Sequence, residues 1–300
     1  MKSNTGSKLG FAFFLVLLLC VFSACSSVPR RPVEVVLVRE AAAVQLERAN
    51  RDADRGNYTA ALSLAAEVRR AAISVDDPSL RVRTGLSMGN SLFFLGRRDE
   101  ADAAWRSALA DAEAEGDAEL TAICRIYIAR GEFLSAFAPV EGAGGADIAE
   151  IRLKVQTELG AVKADRFSAA LGWVVIGLAE KEMNRYREAE DALKKALALH
   201  EEDRYLEQAA YDWYLIASVF SVAGQYTDAV AALKEALKFD RRAENVYGLG
   251  ADWLAMGDVY SKAGSWGEAE AAYQRAEEIF RSGGFVAEAE TARKRNDSGE

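Results

Sequence analysis

Trp213-Tyr214-Leu215-Ile216-Ala217-Ser218-Val219-Phe220, followed closely by Gly224-Gln225-Tyr226, is the stretch on which the fold turns. The same frame stands forty residues upstream as Trp173-x-x-Ile176-Gly177-x-x-Glu180 before Asn184-Arg185-Tyr186. It stands forty downstream as Trp253-x-x-Met256-Gly257-x-x-Tyr260 before Gly264-Ser265-Trp266. Each turn leads into small and large residues at fixed offsets: Ala189, Leu193 and Ala196; Ala229, Leu233 and Ala236; Ala269, Tyr273 and Ala276. Small residues recurring in this way belong where two antiparallel helices cross closely, because a larger side chain there overpacks the seam by about 1–3 kcal/mol. Gly at the turn supplies the left-handed conformation that ends the first helix.

The frame continues upstream in a looser form. Gly56-Asn57-Tyr58 with Ala61 follows a helical pattern containing Ala49, and Gly96-Arg97-Arg98 with Ala101, Trp105 and Ala108 follows Met88-Gly89. A third unit reads Ile123-Cys124-x-x-Tyr127, then Gly131-Glu132-Phe133 with Ala136, which places a turn at Gly131. Its second helix cannot run through Pro139 and Glu141-Gly142-Ala143-Gly144-Gly145, since Pro removes a backbone donor and glycines do not sustain a helix. That helix is expected to restart near Ala146 to Asp147 and to end near Glu158, leaving an insert between Ala138 and Ala146. Abundant alanine, four prolines and little β-branched alternation fit an all-α chain.

These motifs resemble the tetratricopeptide repeat family, whose pattern is W-x₂-L-G-x₂-Y followed by A-x₃-F. The resemblance implies an α-α superhelix of about six helical hairpins from Val33 to Ser282, closed by a capping helix from Phe285 to Arg293. The forty-residue spacing exceeds the usual thirty-four, as in the long-repeat members. In this family the first helix of each hairpin lines the concave face, where partners commonly bind. The positions so implied are Leu86, Asn90 and Phe93; Thr121 and Arg125; Leu171, Val174 and Leu178; Tyr211, Tyr214, Leu215 and Ser218; and Leu254 and Asp258. Members that clamp a peptide carboxylate use Lys, Arg and Asn there, whereas Leu46 and Leu86 stand where the first clamp Lys would be. The stripe reads as apolar and aromatic, suited to an amphipathic helix, an extended peptide or a hydrophobic small ligand.

The N-terminus reads differently. Lys2 and Lys8 precede an apolar run from Leu9 to Phe22 that ends in Ser23-Ala24-Cys25, the order of a secretory signal. Phe22-Ser23-Ala24-Cys25 resembles the lipobox of bacterial lipoproteins, with Phe in place of the usual Leu, and implies acylation of Cys25. The expected organisation is residues 1–24 as signal peptide, 25–32 as lipidated tether, 33–295 as repeat domain and 296–300 as a frayed tail. The tether reaches at most about 25 Å, which keeps the array near the membrane surface. Beyond residue 24 the chain holds 35 basic against 46 acidic residues, about −11 in all, which disfavours a nucleic-acid partner.

Catalytic constellations are hard to assemble from this composition. His200 is the sole histidine and precedes Glu201-Glu202-Asp203, so it is expected to sit solvated at a helix end. Cys124 occupies a small-residue slot and reads as packing. Gly142 to Gly145 is not followed by the Lys-Ser or Lys-Thr of a phosphate loop. No enzyme activity and no cofactor are expected. The leading expectation is an envelope scaffold that holds a protein or peptide; an accessory of a TRAP-type uptake system with a hydrophobic groove, and a self-assembling structural protein, are the alternatives.

Overall fold

A computed structural model describes residues 37–136 and 147–298. The signal-like segment, Cys25, the tether and the insert containing Pro139 lie outside the described residues. The unit Val38–Glu300 carries the helical array, whose first helix opens one residue earlier.

Among the described residues there are thirteen helices and no strand. Six antiparallel hairpins follow in order: α1 (Leu37–Asp54) with α2 (Tyr58–Ser74), α3 (Pro78–Phe94) with α4 (Arg98–Ala114), and α5 (Ala118–Ala136) with α6 (Ile148–Leu159). Then come α7 (Arg166–Glu182) with α8 (Tyr186–Glu202), α9 (Leu206–Val222) with α10 (Tyr226–Ala243), and α11 (Val246–Lys262) with α12 (Trp266–Ser282). A single helix, α13 (Val286–Asp297), packs on α12 and continues beyond the Arg293 at which the sequence pattern stops it. The all-α superhelix is therefore the fold, with the restarted helix of the third hairpin opening at an Asp147 cap. The Asp147 carboxylate accepts from the Ala149 and Glu150 backbone N–H groups, satisfying donors that a helix start leaves orphaned.

First helices begin mainly at such caps. Asp77, Asp117, Asp165 and Asn245 accept from Leu80, Leu120, Ser168 and Gly248 respectively. Most turns carry one left-handed residue: within hairpins Gly56, Gly96, Gly224 and Gly264, with Asn184 (φ 60°) in the same place in the fourth, and between hairpins Asp76, Gly116, Arg204 and Glu244.

The small-residue slots hold what the sequence implies. A Cβ on Gly177 would lie 2.6 Å from Leu193 Cγ, and one on Gly257 would lie 2.5 Å from the Tyr273 ring. Cys124 is fully buried in the same manner, and burial pushes its thiol up to about 12. Gly131 is a correction. It does not turn the chain; α5 runs unbroken through it to Ala136. Its missing side chain makes room for Trp105 of α4, whose ring would lie 2.3 Å from a Cβ at Gly131 and also 2.3 Å from one at Gly89 of α3. The indole is thus gripped between two first helices, and its Nε1 donates to the Leu86 carbonyl at 3.3 Å.

The superhelix closes on itself. Arg55, at the α1–α2 turn, donates through Nη2 to Glu207 Oε1 and to the Ala243 carbonyl, each at 3.2 Å. Gln208 donates to the Asp54 carboxylate beside it. The Tyr247 ring lies 3.5 Å from where a Gly56 Cβ would stand.

Candidate functional site: the concave cavity

Closure turns the concave face into a cavity with two compartments. The outer one, about 840 Å³, lies among Leu46, Asn50, Arg83, Leu86, Phe167 and Tyr205. The inner one, about 470 Å³, lies among Tyr58, Tyr127, Val174, Tyr211, Tyr214, Tyr247 and Asp252. Asp54, Asn90, Tyr127, Phe167, Glu207 and Gln208 line both, so the two are continuous. At the outer mouth, Glu119 accepts three backbone N–H groups from Lys163 to Asp165, fixing the loop before α7, and Arg83 pairs with Asp165 at 2.6 Å. Those backbone hydrogen bonds hold the Glu119 carboxyl below its ordinary range.

The inherited list of concave positions divides. Leu86 and Asn90 line the outer compartment, and Asn90 with Leu171, Val174, Leu178, Tyr211 and Tyr214 lines the inner one. Tyr211 and Tyr214 stack, with centroids 6.1 Å apart and planes within 10°. The other positions point elsewhere. Arg125 is a correction: it is exposed and paired with Glu113 of α4 and Glu158 of α6 at 3.0 and 3.5 Å, on the side of the second helices. Asp258 is held by Arg295 of α13 at 2.6 Å and by the Tyr273 hydroxyl at 2.8 Å. Thr121 and Leu215 are buried in the packing, and Phe93 packs tilted on Trp105. Ser218 donates to the Leu215 carbonyl, and Leu254 joins the cluster around Phe280.

The lining is also not the apolar stripe that those positions suggest. Asp54, Glu207, Asp212, Asp240 and Asp252 all face the inner compartment, against Arg130 and His200. Arg130 lies over the Phe94 ring at 5.6 Å and donates to Asn90 at 3.3 Å. His200 is a further correction. Far from being solvated, it is 4% exposed, its Nδ1 lies 2.6 Å from Asp212 Oδ2, and the Phe167 and Tyr205 rings pack around it. The repeat explains this: α8 ends against α9, so a residue in its last turn is covered by the next hairpin.

Burial raises the carboxyls here. Asp212 is pushed up by desolvation and drawn back by its hydrogen bond from His200. Asp240 and Asp252, 3% and 2% exposed, are both raised chiefly by desolvation, and their contact raises Asp252 further while drawing Asp240 back. Asp54 is raised first by the helices enclosing it and then by Glu207; the water that reaches its exposed side chain tempers that rise.

A superhelix of antiparallel hairpins whose first helices wall a concave cavity is an α-solenoid. Tetratricopeptide repeat models match residues 175–202 and 205–282. No curated protein matches the sequence. Among solved structures, the chain is similar to a Rap protein complexed with Competence and Sporulation Factor, at 15% identity over 85% of this chain and 73% of that one, with a TM-score of 0.56. It is also similar to the apo form of RapI, at 13% identity over 86% and 72% with a TM-score of 0.53. BtubC from P. vanneervenii is similar at 17% identity over 81% and 92%, with a TM-score of 0.53. Residues 175–202 and 205–282 are thus tetratricopeptide repeats, and the described array as a whole has the fold of such a superhelix.

Proposed function

We propose that this protein is a binding scaffold of the bacterial cell envelope, which holds a peptide or an extended segment of a partner protein in its cavity. The observation that carries the reading is the open cavity on the concave face, walled mainly by first helices and lined by tyrosines with polar groups among them. Tyrosine offers apolar area and a hydroxyl at low conformational cost, which suits a surface that binds chain rather than transforms it. The similar Rap structure that holds Competence and Sporulation Factor supports the reading by analogy of fold.

The envelope address rests on the sequence of residues 1–25. Replacing Cys25 by Ala should abolish incorporation of labelled palmitate and release the protein from membranes; unchanged incorporation would remove the anchor from the proposal. Holding is tested separately, with a photo-crosslinking residue at Tyr214 in the cavity and, as control, at Arg125 outside it. In intact cells Tyr214 should yield one dominant protein or peptide adduct that Arg125 does not. Equal patterns from both positions, or no adduct from Tyr214, would end the cavity reading. The carboxylate-rich lining weighs against a hydrophobic small ligand, since an unpaired buried carboxyl against an apolar surface stays undersolvated.

A further inference from the structure

A junction recurs every forty residues where the last turn of a second helix meets the following first helix. His200 meets Asp212 there, Asp240 meets Asp252, and Phe280 lies in one cluster with Ala292. The first is a base with an acid, the third is apolar, and the middle one sets two carboxyls together. Asp240 stands in the repeat position of His200, so the second junction has lost the cation of the first. Asn245 donates to Asp240 Oδ1 at 2.9 Å, but Asp252 Oδ2, on a side chain 2% exposed, has no hydrogen-bond partner. Both residues line the inner compartment, beside Tyr214 and Tyr247. The neighbouring Arg241 is exposed, and its charge draws Asp252 down by less than burial and Asp240 each raise it.

We infer that the Asp240–Asp252 junction is a binding site for one organic cation, an ammonium or guanidinium group carried into the cavity on a Lys or Arg side chain of the held segment. The inference rests on the cavity reading above for the source of that side chain, and on the junction alone for the charge. A buried acid pair needs a positive charge or a proton between its members. Burial holds both carboxyls above their ordinary range, so the empty pair keeps a proton that an arriving cation displaces. Aromatic faces beside the pair favour a guanidinium or ammonium. A calcium ion wants six to eight oxygen ligands, and among the described residues no group of three or more His, Cys, Asp or Glu is placed to hold a metal.

The test is calorimetric titration of the full chain with acetyl-Gly-X-Gly-amide peptides, X being Lys, Arg, Leu or Glu, together with n-butylammonium and calcium chlorides. The Lys or Arg peptide should bind at least about ten-fold more tightly than the Leu peptide. It should release a proton, seen as a buffer-dependent heat, and lose both advantages in Asp252→Asn and in Asp240→Asn. Two variants are used so that a folding defect in one, checked by circular dichroism, leaves the other to decide. Equal binding of Lys and Leu peptides, unchanged in both variants, overturns the cation site and leaves the cavity reading standing. Butylammonium binding that Asp252→Asn removes, without any peptide binding, keeps the site and overturns the peptide as its source. Binding of calcium alone, or of nothing up to about 10 mM, overturns the inference.

Discussion

The second and third hairpins and the last three solve one packing problem in opposite ways. In the last three, each seam closes locally: Leu193 rests on Gly177, and Tyr273 on Gly257, each within its own hairpin. In the second and third hairpins one indole closes two seams, because Trp105 fills the gaps left by both Gly89 and Gly131. Local closure repeats itself and leaves a period in the sequence. Shared closure gathers the same contact area into one residue and leaves little period, which is why the family models match from residue 175 onward.

Trp105→Ala is the most direct way to break that contrast. It should cost about 3–5 kcal/mol, since the cavity it leaves opens both seams at once. Thermal melts should fall by roughly 10–15 °C for a domain of this size, and Leu193→Ala should cost less, about 2–5 kcal/mol. Gly131→Ala comes next, at about 1–3 kcal/mol. The indole is pinned from the other side by Gly89 and a Cβ at Gly131 would meet it at 2.3 Å, whereas a Cβ at Gly177 meets Leu193 Cγ at 2.6 Å, so Gly177→Ala should lose less. Equal losses would show that Trp105 is not held as tightly as two contacts at 2.3 Å imply.

The two regions should also part in their response to pH. Raised carboxyls lie at Asp212, Asp240 and Asp252, whereas Glu100 of α4 and Glu119 of α5 are lowered by their hydrogen bonds. A carboxyl whose folded pKa lies above its unfolded value near 4 contributes its full stability at low pH and loses it as pH rises through the folded value. Each proton retained costs about 1.4 kcal/mol per pH unit over that window. Melts of the parent chain should therefore fall from about pH 4 up to the folded values, about 7 for Asp240 and about 9 for Asp252, and Asp252→Asn should flatten the upper part of the fall. A parent slope unchanged in the variant would show that the pair is not strained by charge. The smallest effect is expected at Arg204, which holds φ 63° at the turn between α8 and α9. Arg204→Gly relieves a left-handed backbone costing about 1 kcal/mol and should raise the melt by a few degrees, where Gly224→Ala should lower it.

The fold was legible because Trp173, Trp213 and Trp253 report on each hairpin alone. Gly131 was not, since a glycine that ends a helix and a glycine that admits a neighbour's indole look alike until Trp105 is placed. The cavity charges were hidden for a related reason: Asp54 and Glu207 meet only through closure of the superhelix. His200 and Asp240 carried a usable signal, for they share a repeat position with Phe280, which a solvated residue would not do. Asp212 and Asp252 likewise each precede a repeat tryptophan in the slot that Gly172 fills, a buried position in all three.

Arg55 ties the α1–α2 turn to Glu207 and to the Ala243 carbonyl. In an open array of repeats stability is a sum of neighbours, and unfolding begins by fraying at a free end. Here the first described hairpin is tied back rather than free. That hairpin melts only by giving up contacts to the fifth and sixth, which makes a string of local units behave as a ring with one shared fate.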